Sequence, residues 1–153
     1  MNKLDIVDFK IINELQLDCK QSIKQLAQKV NLSVSPVHER IKRIENNGVI
    51  DKYVAIIKPE LLGLKMVVYC QVKLIKHQEE LFDEFEKYIV SLDEVLEASY
   101  IAGSFDFLIK VVLKDMDEYQ YFVKHKISKL KIISNIQSSF VMSYIKCQTN
   151  INL

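Results

Sequence analysis

The sequence predicts two domains of different class. The first is an N-terminal all-α (winged) helix-turn-helix. A β-hinge joins it to a C-terminal α+β domain of ferredoxin-like (β-α-β-β-α-β) order. Three observations carry this. Apolar residues recur at helical spacing in the first 50 residues, and at Met66 the spacing changes to alternation. Between the two regimes, Lys58-Pro59-Glu60 and Gly63 punctuate a linker. The length of 153 residues accommodates two small domains. The expected partition is residues 1–52, 53–63 and 64–153.

The first helix opens at Leu4-Asp5. Asp5 and Asp8 place carboxylates where orphan N–H groups and the helix dipole favour them. Leu4, Val7, Ile11 and Leu15 form its apolar stripe, with Ile12 beside it. The second helix runs from Ser22 to Val30. Ser22 and Gln25 form a capping box, and Ile23, Leu26, Ala27 and Val30 repeat at i, i+3, i+4, i+7. Asn31-Leu32-Ser33 is a very short connection. The third helix takes Ser33 or Ser35 as N-cap, tolerates Pro36 in its first turn, buries Val37, Ile41 and Ile44, and stops at Asn47-Gly48. Three short helices with a tight turn between the last two predict a helix-turn-helix.

Net charge is +1, from 21 bases and 20 acids. It is unevenly placed. Residues 20–43 hold Lys20, Lys24, Lys29, Arg40, Lys42 and Arg43 against one acid, Glu39, a local +5. At ~100° per residue from Val37, the third helix points Ser35, Glu39 and Lys42 away from the core, flanked by His38 and Arg43. A short, polar, cationic face suits a recognition helix, because major-groove base edges offer donors and acceptors and phosphates flank them. The expected double-stranded DNA contacts are Lys20, Ser33, Val34, Ser35, His38, Arg40, Lys42 and Arg43. Arg40 lies nearer the core edge and has two readings, a phosphate contact or an ion pair to an acid of the first helix. Glu39 reads as a solvated charge or as a partner for Lys42 or Arg43. Substituting Lys42 or Arg43 is expected to weaken DNA binding and flatten its salt dependence.

Tyr53–Ile57 is a β-branched and aromatic run, predicted as one strand. Further strands are predicted over 66–75, 95–102, 107–113 and 136–147, and helices over 79–90 and 117–130. Apolar residues on both strand faces, including Ile136, Phe140, Met142 and Tyr144 against Val141 and Ile145, predict a dimer packed through the sheet.

Other classes recede. With 49% hydrophobic and 27% charged residues the chain is expected to fold. No apolar run reaches the ~20 residues of a membrane span. The opening MNKLDIVDFK lacks a signal-peptide core. Cys19, Cys70 and Cys147 have no metal or redox spacing and are expected to be reduced, so the cytoplasm is the expected location. His38, His77 and His125 lack ligand spacing, no catalytic or phosphate-cradling motif occurs, and neither metal nor cofactor is expected.

The segments Leu4-Asp5-x-x-Asp8, Leu26-Ala27, Leu32-Ser33-x-Ser35-Pro36-Val37, Arg40-Ile41-x-Arg43-x-Glu45 and Gly48-Val49-Ile50-x-x-Tyr53 resemble the N-terminal half of the Lrp/AsnC, or feast/famine, transcription regulators. The resemblance spans the first 63 residues without an insertion. Lys20 departs from it, since members often carry arginine there; His38 falls on a variable position, where it would help set site preference. Ala102-Gly103-Ser104-Phe105-Asp106-Phe107-Leu108 resembles the family's G-x-x-D effector loop. Phe140-Val141-Met142-x-x-Ile145-Lys146 resembles its last strand. The resemblance implies a transcription regulator, not an enzyme. It implies a homodimer whose hinge strands pair between subunits, assembling into a tetramer or octamer. It also implies a small effector, an amino acid, held between dimers. The implied effector residues are Gly103, Ser104, Phe105, Asp106 and Ser138. Gly103 and Asp106 alternatively make only a tight turn. Two other readings stay open: a haem-pathway (tetrapyrrole) decarboxylase-like enzyme of similar build using His77 or His125, and an architectural DNA-binding protein without effector.

Overall fold

A computed structural model of the chain describes residues 3–153. The N-terminal signal-peptide expectation begins on Met1 and Asn2, outside the described residues. Packing groups the chain into two compact units: residues 3–56 with Ile145–Leu153, and Ile57–Tyr144.

The first unit holds helices α1 (Ile6–Leu17), α2 (Ile23–Lys29) and α3 (Val34–Asn46). Asp5 caps α1. Its Oδ1 accepts from the Val7 and Asp8 amides, and Asp8 Oδ2 accepts the Asp5 amide at 2.9 Å. Aspartate thus closes a capping box usually completed by Glu or Gln. Ser22 and Gln25 close the expected box on α2. Asn31 turns the chain toward α3 with φ 56°, a left-handed conformation that asparagine tolerates. Ser33, rather than Ser35, is the N-cap residue of α3, and its side chain makes no capping bond. Gly48, at φ 70°, ends the helix. Ile11, Ile12, Leu26, Ala27, Val30, Val37 and Ile44 form the core.

The strand expected over Tyr53–Ile57 is absent as such. Residues 51–58 carry no ladder, and Tyr53, Val54, Ile56 and Ile57 are exposed. A strand needs a neighbour for its N–H and C=O groups, and the chain supplies none here. Tyr53 does find a local partner. Its Oη donates to Glu45 Oε1 at 2.8 Å. Apolar surroundings, and then the Glu45 carboxylate, push the Tyr53 hydroxyl up to about 12. An unfolded tyrosine ionises near 10, so this contribution to stability is complete below pH ~10 and lost as pH rises toward 12. Tyrosinate absorbance is expected to show a step at about pH 12. The step should vanish in Tyr53→Phe and move toward ordinary tyrosine behaviour in Glu45→Gln.

The second unit is a four-stranded antiparallel sheet in the order β2-β3-β1-β4. The strands are β1 (Met66–Leu74), β2 (Val95–Tyr100), β3 (Phe107–Leu113) and β4 (Ile133–Phe140). Helix α4 (Glu79–Val90) lies where predicted. The second predicted helix is irregular. Helix α5 (Met116–Tyr121) runs into a π segment, Phe122–Lys126, and a 3-10 turn, Ile127–Lys129. Tyr88 Oη caps the Lys126 carbonyl and Ser128 Oγ the Val123 carbonyl. Side chains that take carbonyls in this way compete with the regular helical ladder.

One sheet face is dry. Val68, Cys70 and Val72 of β1, with Ile109 and Val111 of β3, pack against Phe85 and Ile89 of α4 and Phe122. The expected last strand, 136–147, needs correction at both ends. Strand β4 starts earlier, where Ser134 Oγ ties a bulge to the Lys73 and Leu74 carbonyls. It ends at Phe140 because its neighbour runs out. Phe140 opposes Val68, and the final ladder bond is Val141 N to Val67 O. Met142, Tyr144 and Ile145 therefore lie beyond the sheet. The β4 register puts Ile136 and Phe140 on the helix-covered face with Val72 and Val68, leaving Asn135, Gln137 and Ser139 on the open face. That open face has a partly exposed apolar patch of Val67, Tyr69 and Leu108 beside the buried Val112, from β1 and β3 and not from β4.

Candidate nucleic-acid interface and ligand loop

Helix α3 presents Ser33, Val34, Ser35, His38, Glu39 and Lys42 to solvent, while Val37 and Ile44 are buried. The outward face expected from the sequence is there, with one change: Arg43 turns inward, as does Arg40, which helix phase places near the core edge. Arg40 Nη1 reaches Asp5 Oδ2 and Asp8 Oδ1, both at 2.7 Å. Arg43 Nη2 reaches both Asp8 oxygens, at 2.8 and 2.6 Å. The Asp8 side chain is 0% exposed. A buried carboxylate without cations would be costly, and this need draws both guanidinium groups away from solvent. The Arg40 hydrogen bond holds the Asp5 carboxyl below its ordinary range. Arg43, expected as a phosphate contact, thus also has a structural partner in Asp8. For Arg40, the structure supplies the ion-pair reading.

Lys29 is also partnered, by Glu14 at 2.6 Å. Of the six cations in residues 20–43, only Lys20, Lys24 and Lys42 lack a carboxylate partner among the described residues. The +5 of the segment therefore overstates its electrostatic footprint. What remains is a face of two serines, a valine, a histidine, a glutamate and a lysine on α3, with Lys20 exposed ahead of α2. Short polar side chains can approach base edges, and unpaired lysines attract phosphates without fixing a direction.

In the second unit, residues 101–106 connect β2 to β3. Gly103 and Ser104 are exposed, and Phe105 is half-buried. Gly103 adopts φ 147°, a conformation that disfavours any side chain there. Asp106, expected as an effector contact or as a turn former, is buried and committed internally. Its Oδ2 accepts the Leu74 amide at 2.8 Å, its Oδ1 lies 2.8 Å from His77 Nε2, and its own amide donates to Val72 O. Asp106 thus anchors the loop to the end of β1. Ser138 opposes Cys70 in the β1–β4 ladder and donates to Cys70 Sγ at 3.4 Å, so within one chain β1 separates it from the loop. Burial pushes the Cys70 thiol up, so it stays protonated.

Three residues take roles here that sequence reasoning did not assign to them. His77 pairs with Asp106 across 29 residues, with no spacing to betray it. Tyr100 and Phe107, which flank the loop, line a cavity of about 270 Å³ with Phe85, Ile89 and Ala98. Their place on the covered sheet face was legible in the strand alternation, but the cavity was not.

Comparison with known proteins agrees with both units. A family described as winged helix-turn-helix DNA-binding matches residues 4–51, and the Lrp/AsnC ligand binding domain matches residues 67–151. The chain is 38% identical over 147 residues to the leucine-responsive regulatory protein of Haemophilus influenzae, covering 96% of this chain and 88% of that one. It is 34% identical to the DNA-binding transcriptional activator DecR of Escherichia coli, covering 97% of each. The structure of a transcriptional regulator of Neisseria meningitidis in complex with L-Met superposes with a TM-score of 0.93. The sequence identity is 28%, over 97% of this chain and 96% of that one. These relatives are transcriptional regulators rather than enzymes. A helix-turn-helix with a polar outward helix, followed by a ligand-binding ferredoxin-like unit, places this chain in the Lrp/AsnC family of DNA-binding transcriptional regulators.

Proposed function

We propose that this regulator contacts DNA through Ser33, Val34, Ser35, His38 and Lys42 of α3, with Lys20 adding a phosphate contact. The observation that carries this is the inward turn of Arg40 and Arg43, which leaves those side chains as the exposed face of the helix. Phosphate contacts set register, and the serines and His38 read base edges. The active form is a dimer in the cytoplasm, joined through the open sheet face and the unpaired segment 51–58, and such dimers assemble further. Support comes from the apolar patch on that face and from the missing ladder partner of the segment. Two helix-turn-helix units per dimer call for a roughly palindromic operator.

The effector is an amino acid, bound at the loop Gly103–Asp106 with Ser104 and Phe105 presented to it. The bound L-Met of the Neisseria relative supports this chemistry. Asp106 takes part by holding the loop rather than by touching the ligand. Screening the twenty amino acids for a rise in melting temperature tests this directly, since a ligand that binds only the folded state stabilises it by mass action. At least one is expected to raise the melting temperature at millimolar concentration. No shift with any of them would contradict the effector assignment.

A further inference from the structure

Beyond β4 the chain is not left loose. Ile145–Leu153 packs with the DNA-binding unit, so the chain passes between its two units twice, at residues 56–57 and at residues 144–145. The tail is held by its backbone. Gln16, in the last turn of α1, donates from Nε2 to the Ile151 carbonyl at 2.9 Å and accepts the Ile151 amide on Oε1 at 2.7 Å. Asn13, one turn earlier, donates from Nδ2 to the Leu153 carbonyl at 3.2 Å. A primary amide that both donates to and accepts from one residue imitates the pairing of a neighbouring β-strand. Thr149 and Asn150 then wall one side of a cavity of about 440 Å³, facing Ile12, Leu15, Tyr53 and Ile56. The grip is light. Ile145 and Ile151 are exposed, and three hydrogen bonds from two side chains are the polar attachment.

We propose that Asn13 and Gln16 form a docking site on α1 for the C-terminal segment of the same chain. Docked, residues 145–153 are a releasable strap that braces α1 within the DNA-binding unit. The strap fixes the DNA-binding unit for engagement of DNA, and undocking returns that unit to a looser state with weaker binding. This rests on the reading above that the α3 face binds DNA.

The chain carries its own probe. Cys19 and Cys147 are exposed free thiols, one just after α1 and one in the tail, whereas Cys70 is buried. Cys19 lines the same cavity as Thr149, two residues from Cys147. A short bis-maleimide applied to the protein is expected to join Cys19 to Cys147 within one chain. The yield should drop severalfold in Gln16→Ala and in Asn13→Ala, with circular dichroism reporting that each variant remains folded. A crosslink between two chains, or no crosslink, overturns docking in cis. Binding to a mixed-sequence duplex is then compared for wild type, Gln16→Ala and the crosslinked protein, with N-ethylmaleimide-treated wild type as the control for thiol modification. Loss of preorganisation is expected to weaken Gln16→Ala by roughly threefold or more, while the crosslinked chain binds at least as tightly as the control. Equal affinities in all forms overturn the strap's role. Failure of wild type to bind any duplex would instead defeat the reading of α3, and the crosslinking result would stand apart from it.

Discussion

Replacing Asp8 by alanine is expected to destabilise the DNA-binding unit by about 3 kcal/mol, the lower end of the range for breaking a buried ion pair. Asp8 is the hub of the unit's polar network. It closes the α1 cap through the Asp5 amide and binds both arginines of α3. Its loss leaves the Arg40 guanidinium with Asp5 alone and strands the Arg43 guanidinium beside an apolar core. Their side chains are 25% and 37% exposed, and this access to water keeps the cost from the top of the range. A helical unit of ~60 residues has little stability to spare, so urea unfolding should show an early transition for this unit. Asp8→Asn keeps an acceptor for the cap and should fall between alanine and wild type. A wild-type midpoint in Asp8→Ala would show that the cluster is not structural.

Asp106→Ala carries the second large effect. The Asp106 carboxylate is the acceptor for the buried Leu74 amide and the partner of His77. An orphaned buried N–H costs about 1–3 kcal/mol. Loss of this anchor also frees the loop over Gly103–Asp106. The variant is expected to melt earlier and to lose any amino-acid-dependent rise in melting temperature. Asp106→Asn retains an acceptor for Leu74 and should recover most of the stability. His77→Ala leaves the Leu74 bond intact and should be milder than Asp106→Ala. Retention of the full ligand response in Asp106→Ala would contradict its anchoring role.

These two residues show where sequence reasoning succeeded and where it stopped. Capping boxes, helix stops and strand alternation are local, so α1 to α4 and the core positions of β1 and β3 were readable residue by residue. The Asp8 cluster was half-readable. Helix phase gave Arg40 a place near the core edge, but it left Arg43 outside. Phase describes the Cα direction, and a long flexible side chain can still swing toward a buried carboxylate. The Asp5-x-x-Asp8 and Arg40-x-x-Arg43 pieces of the family resemblance are thus the two halves of one charge cluster, and Glu45 and Tyr53 are likewise partners. The end of β4 depended on where β1 begins, and the His77–Asp106 pair joins two loops. Both are properties of register and tertiary contact, which one sequence does not display.

The central claim is that the exposed lysines of the helix-turn-helix, and not its arginines, meet the DNA backbone. The direct measurement is the slope of log K against log salt for duplex binding, by wild type, by Lys20→Gln/Lys42→Gln and by Arg43→Gln. It should be made at a temperature where all three are folded. Each lysine that neutralises a phosphate contributes about 0.9 to the slope, so the double variant should flatten it by ~1.8 per chain. Arg43→Gln should keep the wild-type slope while unfolding earlier in urea. An unchanged slope in the lysine variant, or a flattened one in folded Arg43→Gln, would contradict the account.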